Sequence, residues 1–290
     1  MKLGLGTVQF GLPYGISNKS GQVSAAEVGK ILELATSSGM KVLDTAVGYG
    51  NSESVIGASL APAHNFSIVT KTLPLKTDQV RPEDVAKIEV AFYDSLRRLG
   101  QSSVYGLLVH HPADLLRPGG ERLYASLQRW KGQGLARKIG VSVYDKNEVD
   151  RLFGQYTFDL VQLPLNVYDQ RLAQDGTLKR LYEAGVEIHV RSAFLQGLLL
   201  MPSAALSPYF RKLKQHHEAY IAELARIGVS PLTGALGYFN NRPEVSTVLV
   251  GVQTSVQLQE CLLATRNMFS INFPSFAVGD PHVLDPRGWK

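Results

Sequence analysis

Short apolar runs, each followed by a segment whose apolar residues recur at helical spacing, constrain this chain more than any other feature. Eight such runs stand at residues 3–7, 41–44, 66–71, 104–109, 136–141, 159–163, 186–191 and 246–250. They are apolar on both faces, as strands of a parallel sheet covered by helices are. Between them, Val28, Ile31, Leu32 and Ala35 fall on one helical face, and Val85, Ile88, Phe92, Leu96 and Leu99 on another. Leu123, Leu127 and Trp130 mark a third helix; Leu178, Leu181 and Tyr182 mark a fourth. Gly39, Gly100, Gly134 and Gly185 stand where these helices end, and glycine suits the left-handed residue that closes a helix. Ser24 and Glu27 have the spacing of a capping box, in which each side chain bonds the other's backbone N–H. Eight such repeats predict a parallel sheet, either closed into a barrel or open and doubly wound, and periodicity does not choose between them.

Composition narrows the function more than the fold. The chain has 290 residues, 44% hydrophobic and 19% charged, which fits one large globular domain or two small ones. Its net charge is +5, but the lysines and arginines are scattered with no basic run, so no nucleic-acid partner is expected. The single cysteine, Cys261, excludes an intrachain disulfide. The first residues do not read as a signal peptide, and no apolar run approaches the ~18 residues of a membrane span. A cytoplasmic protein with no membrane partner is expected.

Side chains with chemistry in them collect at strand ends. Asp44 closes the second run, and Tyr49 follows in the Gly-rich turn Asp44-Thr45-Ala46-Val47-Gly48-Tyr49-Gly50-Asn51-Ser52-Glu53. Lys71 ends the third, in Val69-Thr70-Lys71-Thr72, and His110 the fourth, in Leu108-Val109-His110-His111-Pro112. A phenol, with a reference pKa near 10, is a poor proton donor at neutral pH unless a cation lies close. An acid, a phenol, a lysine and a histidine capping three successive strands therefore form a candidate proton-transfer site. No G-x-G-x-x-G follows a strand, so a Rossmann dinucleotide site is not supported.

The pattern D-x-A-x-x-Y-G-x-S-E, then V-T-K-T, then L-x-H-x-P closely resembles the aldo-keto reductases, and the resemblance runs from Gly4 to the helix near Glu260. It is to a short, bacterial type without the N-terminal hairpin that closes the barrel floor in many members. It implies one domain over residues 1–290, a (β/α)8 TIM barrel. A long loop after the seventh strand, residues 192–213, would fold over a cofactor, and a tail, residues 265–290, would line the substrate pocket. The catalytic tetrad would be Asp44, Tyr49, Lys71 and His110. Tyr49 would protonate the carbonyl oxygen with its pKa lowered by Lys71, Asp44 would hold Lys71 charged and in place, and His110 would orient the carbonyl.

The resemblance also implies a cofactor site at the barrel mouth. Ser142 and Gln162 would hold the nicotinamide carboxamide, with Gly6, Thr7 and Asp44 beside them. Arg191, Ser192, Phe194, Gln196 and Gly197 would come from the long loop, and Gly251, Thr254, Gln257, Glu260 and Cys261 from the region after the last strand. Phe10, Val47, Tyr49, His110 and His111 would face the substrate. Three positions depart from the family. Val143 stands where an asparagine is usual. Arg191 replaces the tyrosine that stacks on nicotinamide, and its charge there would favour the reduced cofactor. The segment from Gly251 to Cys261 lacks the arginine and asparagine that clamp the 2′-phosphate and adenine of NADP. NADP is still the expected cofactor, with NAD the other choice; the helix start near Ser255, or Arg211, Lys212 or Lys214, would replace the missing charge.

The expected activity is nicotinamide-dependent reduction of an aldehyde or ketone, a sugar or sugar derivative being favoured because His111 adds a polar group. A small-molecule carbonyl substrate, no metal, and a monomer or weak homo-oligomer complete this expectation. Two other classes stay open: a non-catalytic NAD(P)H-binding regulator of the potassium-channel type, and a metal-dependent barrel hydrolase using Asp44 and His110 as ligands, against which Lys71 argues.

Overall fold

The computed structural model describes residues 2–61, 63–266, 269 and 271–289. Of the expected domain and tail, residues 1, 62, 267, 268, 270 and 290 lie outside the described residues. The strands are β1 (Leu3–Gly6), β2 (Val42–Asp44), β3 (Ser67–Lys71), β4 (Val104–Val109), β5 (Ala136–Ser142), β6 (Leu160–Pro164), β7 (Glu187–Arg191) and β8 (Thr247–Gly251). Each pairs in parallel with the next, and β1 pairs with β8, which closes the barrel. The expected (β/α)8 fold is the observed one, and the strands fall within one residue of the ends read from the sequence.

Helices cover the barrel because their apolar stripes demand it. In the helix Ala25–Ser37, the buried residues are Val28, Ile31, Leu32 and Ala35, and Gly39 follows it with φ +78°. In Pro82–Leu99, Ile88, Phe92, Leu96 and Leu99 are buried while Val85 is partly so. Leu123, Leu127 and Trp130 of Gly120–Gly132 are wholly buried. Each such side chain contributes about 1.5–3 kcal/mol relative to remaining in water. Tyr182, grouped with the fourth apolar face, is instead 48% exposed at the end of Thr177–Glu183. Among the described residues, no helix is long and apolar enough to cross a membrane.

The capping box at Ser24 forms only in half. Ser24 Oγ accepts from the Glu27 N–H at 3.3 Å, but the Glu27 carboxylate turns outward to Ser255, accepting from its backbone N–H at 2.7 Å and its hydroxyl at 2.8 Å. A local rule has lost to a contact between the helices Ala25–Ser37 and Ser255–Ala264.

Strand register sets up the site. Val42, Val69, Leu108, Leu160 and Leu249 form a small buried cluster separate from the main core. Successive side chains on a strand alternate faces, so the residue two positions on shares a face with each of these. Those residues are Asp44, Lys71, His110, Gln162 and Gly251. The barrel's apolar filling thus ends one layer below a layer of polar groups, at the C-terminal ends of the strands.

Candidate active site

The Tyr49 turn is fastened from several sides. The Asp44 carbonyl accepts from the Thr7 N–H at 3.0 Å and the Thr7 hydroxyl at 2.8 Å, while Ser52 Oγ donates to the Thr7 carbonyl at 2.9 Å. Glu53, buried at 2% exposure, accepts from Thr70 Oγ1 at 2.6 Å and from Arg98 Nη2 at 2.7 Å and Nε at 2.9 Å. The segment Val8–Gly11 packs so closely that a Cβ added at Gly11 would stand 1.8 Å from the Tyr49 carbonyl oxygen. Ser52 and Glu53, the last letters of the motif, therefore serve the position of Tyr49 rather than the chemistry.

Lys71 lies beneath Tyr49 with its side chain 1% exposed. Its Nζ donates to Asp44 Oδ1 at 2.7 Å and the Thr45 carbonyl at 2.8 Å, and sits 5.0 Å from the centroid of the Tyr49 ring. The other Asp44 oxygen accepts from Gln162 Nε2 at 2.7 Å. Burial works against the ammonium, but Asp44 and Tyr49 outweigh it and raise the Lys71 pKa, so the cation is secure. For Tyr49 the balance differs from the sequence expectation. Burial raises the phenol's pKa, and the lowering by Lys71 does not overcome it. Tyr49 is a neutral phenol with a cation beside it.

His110 meets Tyr49 edge to face, ring centroids 5.9 Å apart. Burial, then Lys71, Arg191 and His111, press its pKa down to about 3. The imidazole is uncharged across the physiological range, and its Nδ1 is buried without a partner.

These groups open into one cavity of about 1060 Å³, at the upper end of the size of small-molecule sites. Asp44, Tyr49 and His110 line it, while Lys71 stands behind them. Gly6, Thr7, Ser142, Gln162, Arg191, Ser192, Phe194, Gln196, Gly197, Gly251, Gln257, Glu260 and Cys261 also line it. Thr254 does not; its hydroxyl caps the helix Ser255–Ala264 by accepting from the Gln257 N–H at 3.1 Å. Three expected substrate residues lie elsewhere. Phe10 is wholly buried in the core, Val47 is half-buried outside the cavity, and His111 points toward Asp114, 3.8 Å from its carboxylate.

Other lining residues were not singled out one by one in the sequence, although Pro286 and Arg287 belong to the tail expected at the substrate pocket. Gln9, Tyr14 and Ser17 come from the segment after β1, Ser230–Thr233 from a helix start, and Tyr144, Pro286 and Arg287 from loop and tail. Arg191 and Arg287 pack on the Tyr144 ring with their guanidinium carbons 3.9 and 3.7 Å from its centroid. Arg191 Nη2 also donates to the Val143 carbonyl at 3.0 Å, so two departures from the family pattern touch each other. Of the long loop, Ser192, Ala193, Phe194, Gln196, Gly197 and Leu200 border the cavity; Arg211, Lys212 and Lys214 are exposed and do not. The loop's turn runs through Ser192, Leu195 and Gln196, all with positive φ. Among the described residues, no three His, Cys, Asp or Glu side chains gather where they would hold a metal.

Comparison with known proteins agrees with this geometry. The sequence pattern of the aldo/keto reductase family matches residues 2–273. An aldo-keto reductase of Mycolicibacterium vanbaalenii is 32% identical over 142 residues, 46% of this chain and 47% of that protein. One from Bombyx mori is 28% identical over 153 residues, 50% of this chain and 49% of that one. The chain thus spans about half the length of the curated relatives it matches. Among solved structures, an aldo-keto reductase of Bacillus halodurans in its holo form superposes with a TM-score of 0.76 at 18% identity, over 97% of this chain and 95% of that one. A glycerol dehydrogenase of Gluconobacter oxydans gives 0.69 at 21% identity, over 94% and 88%. At such identities the superpositions speak for the fold alone; the sequence pattern, covering nearly the whole chain, speaks for descent. The chain belongs to the aldo/keto reductase family.

Proposed function

We propose that this protein reduces an aldehyde or ketone, with Tyr49 giving the proton to the carbonyl oxygen. The observation that carries this reading is the neutral phenol of Tyr49 set beside the secured ammonium of Lys71 at the wall of a ligand-sized cavity. A neutral Tyr49 has a proton to give. As it gives it, the growing phenolate charge is met by Lys71, already oriented by Asp44 and the Thr45 carbonyl, so the stabilisation strengthens as the reaction proceeds. The uncharged His110 hydrogen-bonds the same oxygen and fixes its direction without competing as an acid.

A nicotinamide dinucleotide, when bound, supplies the hydride. The chain's own groups suit it. Gln9 Oε1 and His110 Nδ1 are buried polar atoms without partners in residues that line the cavity, and both would gain one from a polar ligand. Ser142 and Gln162 would hold the reacting ring, the turn from Leu195 to Gly197 would cover the middle, and the segment after β8 would take the far end. The polar lining from Tyr14, Ser17 and Tyr144 supports a hydroxylated substrate such as a sugar derivative. His111, outside the cavity, lends this no support.

The test is a panel of aldehydes and ketones followed by cofactor absorbance, with Tyr49→Phe beside the wild type. Turnover in the variant is expected to fall by roughly 10²–10⁴ while cofactor binding is unchanged. Equal turnover in the two proteins would refute the assignment.

A further inference from the structure

The cavity has two ends, and the second argues for one cofactor over the other. This step rests on the nicotinamide reading above. With the reacting ring beside Tyr49 and His110, the remainder of a dinucleotide must extend toward the other wall, formed by Gly251–Gln253 and the helix Ser255–Ala264. The start of such a helix ordinarily welcomes a phosphate, because its first N–H groups lack partners and carry partial positive charge. Here the N–H groups of Ser255 and Gln257 are taken. Glu27 Oε1 accepts from both the N–H and the hydroxyl of Ser255, at 2.7 and 2.8 Å. Gln257 Oε1 accepts from the Gln253 N–H at 2.7 Å, and Thr254 Oγ1 from the Gln257 N–H at 3.1 Å.

The charges agree. The two arginines that line the cavity, Arg191 and Arg287, both pack on Tyr144, whereas the charged residue lining the helix wall is Glu260. Lys30 lies 3.3 Å from Glu27 Oε2 on an exposed helix face and offsets that carboxylate. A 2′-phosphate brought here would meet the Ser255 and Gln257 N–H groups already occupied and the Glu260 carboxylate on the wall, with the Glu27 carboxylate on Ser255 beyond it and no arginine among the described residues of that wall. A 2′-hydroxyl carries no charge, and a carboxylate is a good acceptor for it.

We propose that this protein selects NAD(H) over NADP(H), and that Glu27, holding the start of the helix Ser255–Ala264, is a specificity residue. Gln257, which caps the adjacent N–H, acts with it. Losing a charge-assisted contact to the phosphate is worth roughly tenfold in affinity or more.

Calorimetric titration of the wild type with NADH and with NADPH tests the preference. NADH is expected to bind at least roughly tenfold tighter; NADPH binding as tightly or more tightly overturns the proposal. Binding of neither overturns it together with the nicotinamide reading, which separates the two failures. Glu27→Gln keeps an acceptor for Ser255 and removes the charge. It is expected to raise the ratio of NADPH to NADH affinity several-fold, with an unfolding temperature at pH 7 only slightly below that of the wild type. No rise in that ratio, in a variant that remains folded, removes Glu27 from the selection.

Discussion

At one end of the cavity, Asp44, Lys71 and Gln162 stand on strands locked in register, each two positions beyond a residue of the apolar filling of the barrel. At the other end, Ser255, Gln253 and Gln257 present backbone donors on a turn and a helix start, and the side chains packed there, Glu27 from far off in the chain and Thr254 and Gln257 nearby, decide whether those donors are free. The first end depends on residue type at fixed positions, so the sequence pattern there is strict. The second depends on donors that every residue but proline carries, so its specificity can be rewritten by whatever acceptor packs nearby. This is why the chain keeps its family's pattern at Tyr49 and departs from it between Gly251 and Cys261.

The largest expected effect breaks the first end. Lys71→Met removes the cation that steadies Tyr49 and leaves the Asp44 carboxylate buried with only Gln162 on it. Breaking a buried pair in this way costs about 3–5 kcal/mol of stability. Adding Asp44→Asn should restore most of the stability but none of the turnover, because an amide needs no ammonium while Tyr49 still does. Unfolding temperature and single-turnover rate, measured for both variants, check this; recovery of the rate in the double variant would show that Lys71 serves packing alone.

A smaller effect tests the fastening of the turn. Gly11→Ala places a Cβ where the Tyr49 carbonyl oxygen now lies, 1.8 Å away by the present backbone, so the turn must shift. A displacement of about 1 Å at a reacting group costs on the order of 10²-fold in rate. The far end should not feel it, so the ratio of NADH to NADPH affinity is expected to stay constant while turnover falls. A changed ratio would mean that the two ends are not independent.

Legibility in the sequence follows the same division. The eight strands could be read because each is an apolar run between glycines and helical stripes, and the tetrad could be read because its members stand at strand ends, where position in the chain fixes position in space. Tyr14 and Tyr144 could not, because loops have no period from which to infer direction; for Arg287 the tail was expected at the pocket, but not which of its residues would reach it. Phe10 and His111 show the same limit from the other side: both neighbour the site in sequence, but one turns into the core and the other toward Asp114. Glu27 had a correct local reading, a capping box with Ser24, which failed because its partner Ser255 is 228 residues away.

The least effect expected is on stability with pH, and it distinguishes the ends by where each titrates. An unfolded histidine takes up a proton near pH 6.5, whereas folded His110, held neutral by burial and by Lys71, does so only at about 3. Between those values the unfolded chain binds the extra proton, so stability is complete above about 6.5 and declines as pH falls toward 3. Buried His217, whose pKa is also lowered, adds a contribution of the same sign from under the long loop. His110→Gln should therefore make the decline shallower without abolishing it. At the other end Glu27 is held below the ordinary carboxylate range by the Ser255 N–H and then its hydroxyl, so its contribution is present above about pH 4.3 and lost as pH falls further. Unfolding temperatures recorded from pH 7 downward should thus show the His110→Gln curve parting from wild type above pH 5, whereas the small offset of Glu27→Gln is already present at pH 7 and closes only below pH 5. Superimposed wild-type and His110→Gln curves above pH 5 would mean that His110 is not held neutral, and the role given to it in orienting the carbonyl as an uncharged donor would go with it.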